Sequence, residues 1–118
     1  MGSRVLEVKG RSSGLPRRTP VNQLSVGDRV YLVAPRGQAQ WVRNVRATGH
    51  LDLLLGRRRT HYMARELADE EKVPVLRAYL KRWKAEVGAF FEGAGPESTD
   101  EELTGIAPKH PVFEITAR

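Results

Sequence analysis

The chain has 118 residues, with 20 Lys and Arg against 14 Asp and Glu, and no cysteine. This length predicts one domain spanning 1–118 with a single core, and the lack of cysteine excludes disulfides and thiolate chemistry. No apolar run is long enough to cross a membrane, and no signal-peptide pattern is present, so we expect a cytoplasmic protein. His50, His61 and His110 do not have the spacing of zinc ligands, so no metal site is expected.

The positive charge is concentrated in one half of the chain. Residues 1–68 hold 13 Lys and Arg and 4 Asp and Glu, whereas residues 69–118 hold 7 and 10. A basic half favours an anionic partner. The charge alone leaves three kinds of partner open: a nucleotide-like cofactor, a nucleic acid, or a lipid surface that the chain contacts peripherally.

The first 34 residues predict a meander of three antiparallel strands, over 5–8, 19–24 and 29–34. Pro20 would confine the second strand to an edge or to its first residues. The loop between the first two strands, Gly10-Arg11-Ser12-Ser13-Gly14-Leu15-Pro16-Arg17-Arg18-Thr19-Pro20, is rich in glycine, hydroxyls and arginine. Backbone N–H groups, serine hydroxyls and arginine forks together favour binding of a polyanion. A solvated hairpin loop is the alternative.

A helix is predicted from about residue 39 to residue 47, with Trp41, Val42 and Val45 on its core face and Thr48-Gly49 at its end. Strands over 51–55 and 60–67 follow, joined by a basic turn at 56–59. We interpret the three arginines of this turn, 57–59, as a solvated cluster, with binding of an acidic tail as the alternative.

A long helix is the clearest element of the second half. Its apolar stripe consists of Leu76, Tyr79, Leu80, Trp83, Val87, Phe90 and Phe91. We assign Trp83, Phe90 and Phe91 of this stripe to the core. Asp69 would cap this helix, or Pro74 would stand at its first position. A short helix after residue 98 and a final strand at 111–115 complete the chain. Many short antiparallel strands beside one apolar helix predict a mainly β (α+β) domain built around a small barrel.

Four segments of the chain occur in a characteristic order: GRSSGLPRRTPV, VYLVAPRG, the Trp-x-x-Asn-x-x-Ala helix at residues 41–47 and a terminal Pro-Val-Phe strand. In this order they resemble the deazaflavin (F-420)-dependent nitroreductases, which have a split β-barrel fold. The resemblance implies a split barrel of about six antiparallel strands with one long and one or two short helices. It also implies binding of coenzyme F-420, an 8-hydroxy-5-deazaflavin, with FMN less expected.

The resemblance also implies the residues that bind the coenzyme. Arg11, Ser12, Ser13, Gly14 and Arg17 would surround its phosphate and acidic tail, and Thr19, Pro20 and Val21 would lie beside the deazaflavin ring. The remaining positions are Arg36, Gly37 and Gln38 before the helix, and Trp41 and Asn44 on it. A helix N-terminus near Gln38 would add positive potential.

The resemblance implies a reductase that transfers hydride to a small acceptor, such as a quinone, an enone or a nitro compound. The chain departs from the family at Ser12, where a basic residue is frequent, and in lacking tyrosines before its last strand. No general acid is evident, so solvent, Tyr62 or Tyr79 would supply the proton. Alternatives are a split barrel that binds FMN, haem or lipid, a silent coenzyme carrier, and a nucleic-acid-binding module, although the aromatics are not interleaved with the arginines. We expect a monomer or a homodimer.

Overall fold

The fold is an antiparallel β-barrel with helices packed on it. The computed structural model describes residues 3–118, except for the side chains of residues 86 and 87. The strands are β1 (Ser3–Lys9), β2 (Pro16–Val26), β3 (Arg29–Val33), β4 (His50–Leu55), β5 (Arg58–Glu66) and β6 (Val112–Ala117). They close in the order β1-β2-β3-β6-β5-β4. The predicted six-stranded split barrel of the α+β class is confirmed.

Three α-helices connect and cover the strands: α1 (Gln40–Thr48), α2 (Val73–Val87) and α3 (Asp100–Ile106). Gly49 ends α1 in the left-handed conformation at φ 78°, as the sequence predicted, because glycine adopts this conformation without steric cost. Thr99 and Glu102 cap α3 reciprocally through each other's backbone N–H groups. Pro74 lies in the first turn of α2, which supports the later of the two predicted starts.

Two apolar clusters hold these layers together. The barrel interior is filled by buried side chains such as Leu6, Leu32 and Phe113, and α1 closes one end of it with Val42 and Val45. The second cluster lies between the barrel and the other helices, and includes Leu76, Tyr79, Leu80, Phe91 and Leu103. The cluster in the barrel interior fixes the position of α1 against the start of β2, where the candidate site lies.

The strand β2 is shared between two neighbours, each of which pairs with a different part of it. Residues 16–22 pair with β1, whereas residues 23–26 pair with β3. Pro20 pairs with Val5 in the first half, so its missing N–H costs no bond to a second strand. Although Pro20 lies inside the strand, it therefore occupies an edge, as one of the two predicted alternatives required.

The prediction that the whole apolar stripe is buried was wrong at Phe90. The α-helix ends at Val87 and a 3-10 turn follows over Gly88–Phe91, which changes the angle between successive side chains. Phe91 is fully buried, but Phe90 is 40% exposed and lies under the Arg36 guanidinium, 5.1 Å from ring centroid to Cζ. Trp83 is only half-buried at the margin of the second cluster, and the side chain of Val87 lies outside the described residues.

Candidate functional site

The loop between β1 and β2 is folded around its two glycines. The Gly10 N–H donates to Leu15 O and the Gly14 N–H donates to Gly10 O, both at 2.8 Å. Gly14 has φ +72°, which favours glycine, whereas a Cβ on Gly10 would approach Ser13 Oγ to 2.7 Å and require that side chain to shift. The N–H groups of Ser12 and Ser13 have no hydrogen-bond partner among the described residues. Two adjacent free N–H groups at a turn are suited to donate hydrogen bonds to an anion.

Helix α1 anchors this loop through a buried amide. Asn44 Oδ1 accepts from the Arg11 backbone N–H at 3.0 Å and from Arg11 Nη1 at 2.9 Å. Gln40, one turn earlier on the same helix, accepts from the same Nη1 at 2.9 Å. Both acceptors are neutral, so Arg11 is held in place while its positive charge remains available.

A cavity of about 590 Å³ lies between the loop and α1. Its walls are Val8, Gly10, Arg11, Ser12, Ser13, Arg17, Arg18, Thr19, Ala39, Gln40, Trp41 and Asn44, and none of these is a carboxylate. Arg18 is already paired with Glu7 at 2.8 Å, whereas among the described residues the guanidinium of Arg17 reaches only the Ser13 hydroxyl, at 3.5 Å. The net charge of this cavity wall therefore comes from Arg11 and Arg17.

A second cavity of about 530 Å³ adjoins the first where β2 leaves β3. It is bounded by Thr19, Pro20, Val21, Asn22, Val33, Ala34, Pro35, Arg36, Ala39, Trp41 and Tyr79. Thr19, Ala39 and Trp41 belong to both cavities. The half-buried Trp41 ring also packs on Phe113, with centroids 5.8 Å apart, so it is at once a core contact and the wall between the cavities. Three arginines line the first cavity, whereas Arg36 is the one charged residue among those that line the second.

His110 contacts the turn that carries Arg36. The ring of His110 lies 3.1 Å from Pro35 O through Nδ1 and stacks on Phe91 with centroids 4.0 Å apart. Burial lowers the pKa of His110, which favours the neutral ring. Gly37 has φ +83°, and a Cβ there would meet Lys109 O at 3.1 Å. The turn is thus pinned between the end of β3 and the segment before β6.

The structure brings most of the predicted site residues to these two cavities. Those that line one or both are Arg11, Ser12, Ser13, Arg17, Thr19, Pro20, Val21, Arg36, Trp41 and Asn44. Gly14, Gly37 and Gln38 do not line either cavity, although the first two shape the turns beside them. Gln38 instead accepts from Arg46, which also makes a two-pronged ion pair with Glu66 at 2.7 Å.

Sequence reasoning missed some residues of the walls, notably Gln40 and Asn22. Gln40 precedes Asn44 by four residues, and this spacing on a helix places both on one face, so the signal was present. Tyr79 comes from α2, and only the tertiary packing places it there. Of the two proposed proton donors, Tyr79 borders the second cavity, whereas Tyr62 borders a separate cavity.

The second basic segment, at the β4–β5 turn, is differently arranged. Arg59 donates to Glu7 at 2.6 Å and to Asp52 at 2.7 Å, and Asp52 is also 2.6 Å from His61 Nδ1. Hydrogen bonds from Arg59 and then Arg18 lower the pKa of Glu7. Burial acts to raise the pKa of Asp52, but hydrogen bonds from His61 and Arg59 outweigh it and lower that pKa. These ion pairs make Arg59 part of the outer barrel surface rather than an open cationic site.

No helix among the described residues is both long and apolar enough to cross a membrane. Within the same part of the chain, no group of three His, Asp or Glu side chains is arranged to hold a metal ion.

Solved structures place this architecture in a known class, the split β-barrel proteins. An F420-H2 dependent reductase (FDR-A) is 18% identical, with a TM-score of 0.66 over 98% of this chain and 94% of that one. General Stress Protein 26 from Bacillus anthracis str. Sterne is 16% identical, with a TM-score of 0.63 over 98% and 78%. A chain solved as a domain-swapped dimer is 19% identical, with a TM-score of 0.63 over 98% and 80%. At these identities the likeness shows the fold alone, and the expectation of a monomer or homodimer stays a prediction.

The sequence assigns the chain more narrowly. The family model of the F420H(2)-dependent quinone reductases matches residues 1–90. The chain therefore belongs to the F420H(2)-dependent quinone reductase family, a family of oxidoreductases. No curated protein sequence matches the chain at a significant level.

Proposed function

We propose that this protein binds coenzyme F-420 in the two adjoining cavities and reduces a small quinone-type acceptor with it. The observation that carries the proposal is the pairing of a strongly cationic cavity with a less charged one across a single tryptophan, Trp41. A ligand with an anionic tail and a flat aromatic head matches this pairing. Ring systems and tails of this size fit cavities of several hundred Å³.

The chemistry of the first cavity supports the assignment of the tail. Arg11 and Arg17 supply two guanidinium groups that no carboxylate of the described residues pairs with. The free N–H groups of Ser12 and Ser13 add neutral hydrogen-bond donors. A phosphodiester and glutamate carboxylates need this combination of fixed charge and oriented donors.

The second cavity supports the assignment of the ring and the acceptor. Pro20, Val21 and Val33 offer apolar surface, and the unpaired edge of β2 faces this side. When bound, reduced F-420 supplies a hydride. The protein contributes by orienting the two partners against Trp41 and by excluding water, which suppresses side reactions.

Reduction of a quinone to a hydroquinone needs a proton as well as a hydride. Tyr79 is 1% exposed to solvent yet borders the second cavity, and a phenol is the most acidic neutral side chain of that wall. We assign to Tyr79 the transfer of a proton to the acceptor oxygen, with solvent reprotonating the phenolate afterwards.

Tyr79→Phe keeps the packing and removes the hydroxyl. We therefore expect kcat to fall, the Kd for F-420 to stay unchanged, and the solvent isotope effect to change. An unaltered kcat and isotope effect would assign the proton to solvent.

Side-by-side fluorescence titrations with oxidised F-420 and with FMN test the binding. We expect tighter binding of F-420, and equal or stronger binding of FMN would overturn the proposal. The second arm follows oxidation of reduced F-420 at its absorbance band with menadione as acceptor. Tight binding without any turnover of quinone, enone or nitro acceptors would make the protein a carrier rather than a reductase. Salt-sensitive binding of single-stranded nucleic acid, with no affinity for F-420, would move it to a different class.

A further inference from the structure

A third cavity lies at the other end of β1 from the candidate site. It measures about 170 Å³ and is reached from the barrel mouth formed by the starts of β1 and β5 and the end of β4. Arg4 borders this cavity, whereas Gly10 and Arg11 border the first one. Val8 also borders the first cavity, so four residues of extended strand separate the two, which is a distance of about 13 Å. Gln23 of the third cavity directly follows Asn22, which lines the second cavity.

The side chains that face the barrel interior change from apolar to polar at this mouth. Along β1, Leu6 and Val8 are buried in the barrel, and Arg4 precedes them with the same alternation. Along β5, Tyr62 packs on the barrel core and Arg58 and Thr60 share its face. An apolar barrel interior is thus closed at this end by two guanidinium groups and two hydroxyls, to which Gln23 adds an amide.

These donors lack protein acceptors. Arg58 makes no hydrogen bond or ion pair within the described part of the chain, and Arg4 donates only to the carbonyl of its neighbour Ser3. No carboxylate borders the cavity. The nearest acidic residues along these strands, Glu7 and Asp52, are committed to arginines and His61 on the outer surface.

We propose that this barrel mouth, formed by Arg4, Arg58, Thr60, Tyr62 and Gln23, is a binding site for a small phosphate-type oxyanion. The site is independent of the F-420 proposal. Two like charges directed into one mouth repel each other, and an anion between them relieves that repulsion. The volume corresponds to about five or six water molecules, which accommodates one phosphate group. Leu55 is 51% exposed beside the arginines, so the site also offers apolar surface to the organic part of a phosphate monoester.

The test is an NMR titration in the Arg17→Ala background, which removes one of the two competing cations of the β1–β2 loop. The amide shifts of Thr60 and Tyr62 are followed with inorganic phosphate in one arm and phenyl phosphate in the other. We expect saturable shifts at these residues and not at Ser12 or Ser13. Tighter binding of phenyl phosphate identifies a monoester as the ligand class, and equal binding identifies free phosphate.

Matched variants decide whether the arginines carry the binding. Arg58→Gln should weaken it about tenfold or more, as loss of a charge-assisted fork does, and Arg4→Gln should have a similar effect. Arg57→Gln removes the same charge from the same turn at a residue that does not border the cavity, and should leave the shifts unchanged. Absence of shifts at Thr60 and Tyr62, or equal weakening by Arg57→Gln and Arg58→Gln, would overturn the proposal.

Discussion

The two most basic segments of the chain, the β1–β2 loop and the β4–β5 turn, have similar charge but different surroundings. In the loop, Arg11 is held by the neutral amides of Gln40 and Asn44, and Arg17 contacts a hydroxyl. In the turn, Arg59 is paired with two carboxylates. An arginine anchored by amides keeps its charge for a ligand, whereas one anchored by carboxylates contributes to the fold. The partner of each arginine, more than the density of arginines, distinguishes a binding loop from a charged surface.

The sharpest test of this comparison lies within the loop itself, at two adjacent arginines. Arg17→Ala should weaken F-420 binding by about 1.5–3 kcal/mol, or roughly ten- to a hundredfold, because a charged hydrogen bond to the tail is lost. It should also flatten the dependence of Kd on salt. Arg18→Ala removes a cation that Glu7 already pairs with, so we expect a much smaller loss. Titrations of both variants at low and high salt measure the difference, and equal losses would contradict the comparison.

A second test changes the anchor of Arg11 rather than an arginine. Asn44→Asp keeps the oxygen that accepts from Arg11 but adds a negative charge 2.9 Å from its Nη1. The loop should stay ordered while its net charge falls. We expect an unchanged or higher melting temperature without ligand, and about tenfold weaker F-420 binding, in line with the loss of one charged interaction.

Asn44→Ala is the matched control for that variant. It removes the anchor altogether and leaves the Arg11 N–H without a partner, so both the melting temperature and the affinity should fall. If Asn44→Asp binds F-420 as tightly as the wild type, then Arg11 does not contribute its charge to the coenzyme.

Much of the fold could be read from local patterns. A strand was predicted over 60–67, and the structure has β5 at Arg58–Glu66, with Tyr62 and Ala64 half-buried and His61 and Met63 exposed. Gly49 marked the end of α1. The prediction failed at Phe90, because a change from α to 3-10 geometry after residue 87 cannot be seen in a stripe that continues through it.

The candidate site was only partly accessible from sequence. The loop composition pointed to an anion, but its ion pairing depends on register: Glu7 lies directly opposite Arg18, and Asp52 opposite His61. Residues 11 and 44 are far apart in the chain, so their hydrogen bonds follow from how α1 packs on the barrel. Gln38 was predicted near the coenzyme; its side chain accepts from Arg46, and its role stays a prediction. Tertiary contacts of this kind leave no local signal.

The smallest expected effect comes from the β4–β5 turn. Arg59→Gln should leave the Kd for F-420 unchanged within about twofold, since the charge removed lies outside both cavities and exposed charges are screened by salt.

The effect of Arg59→Gln should appear in the dependence of stability on pH. The hydrogen bonds of Arg59 lower the pKa values of Glu7 and Asp52 in the folded protein. A carboxylate with a lowered pKa stabilises the fold above its ordinary pKa, and this contribution is lost as pH falls through the folded value. Urea unfolding from pH 7 to pH 3 should therefore show the wild type losing stability below the ordinary carboxylate pKa values of 4.5 and 3.8, with a shallower loss in Arg59→Gln. Arg57→Gln, at an exposed residue of the same turn, is the control and should follow the wild type. Parallel acid limbs for Arg59→Gln and the wild type, or a large loss of F-420 affinity in Arg59→Gln, would mean that the turn and the loop do not differ in the way their ion pairs indicate.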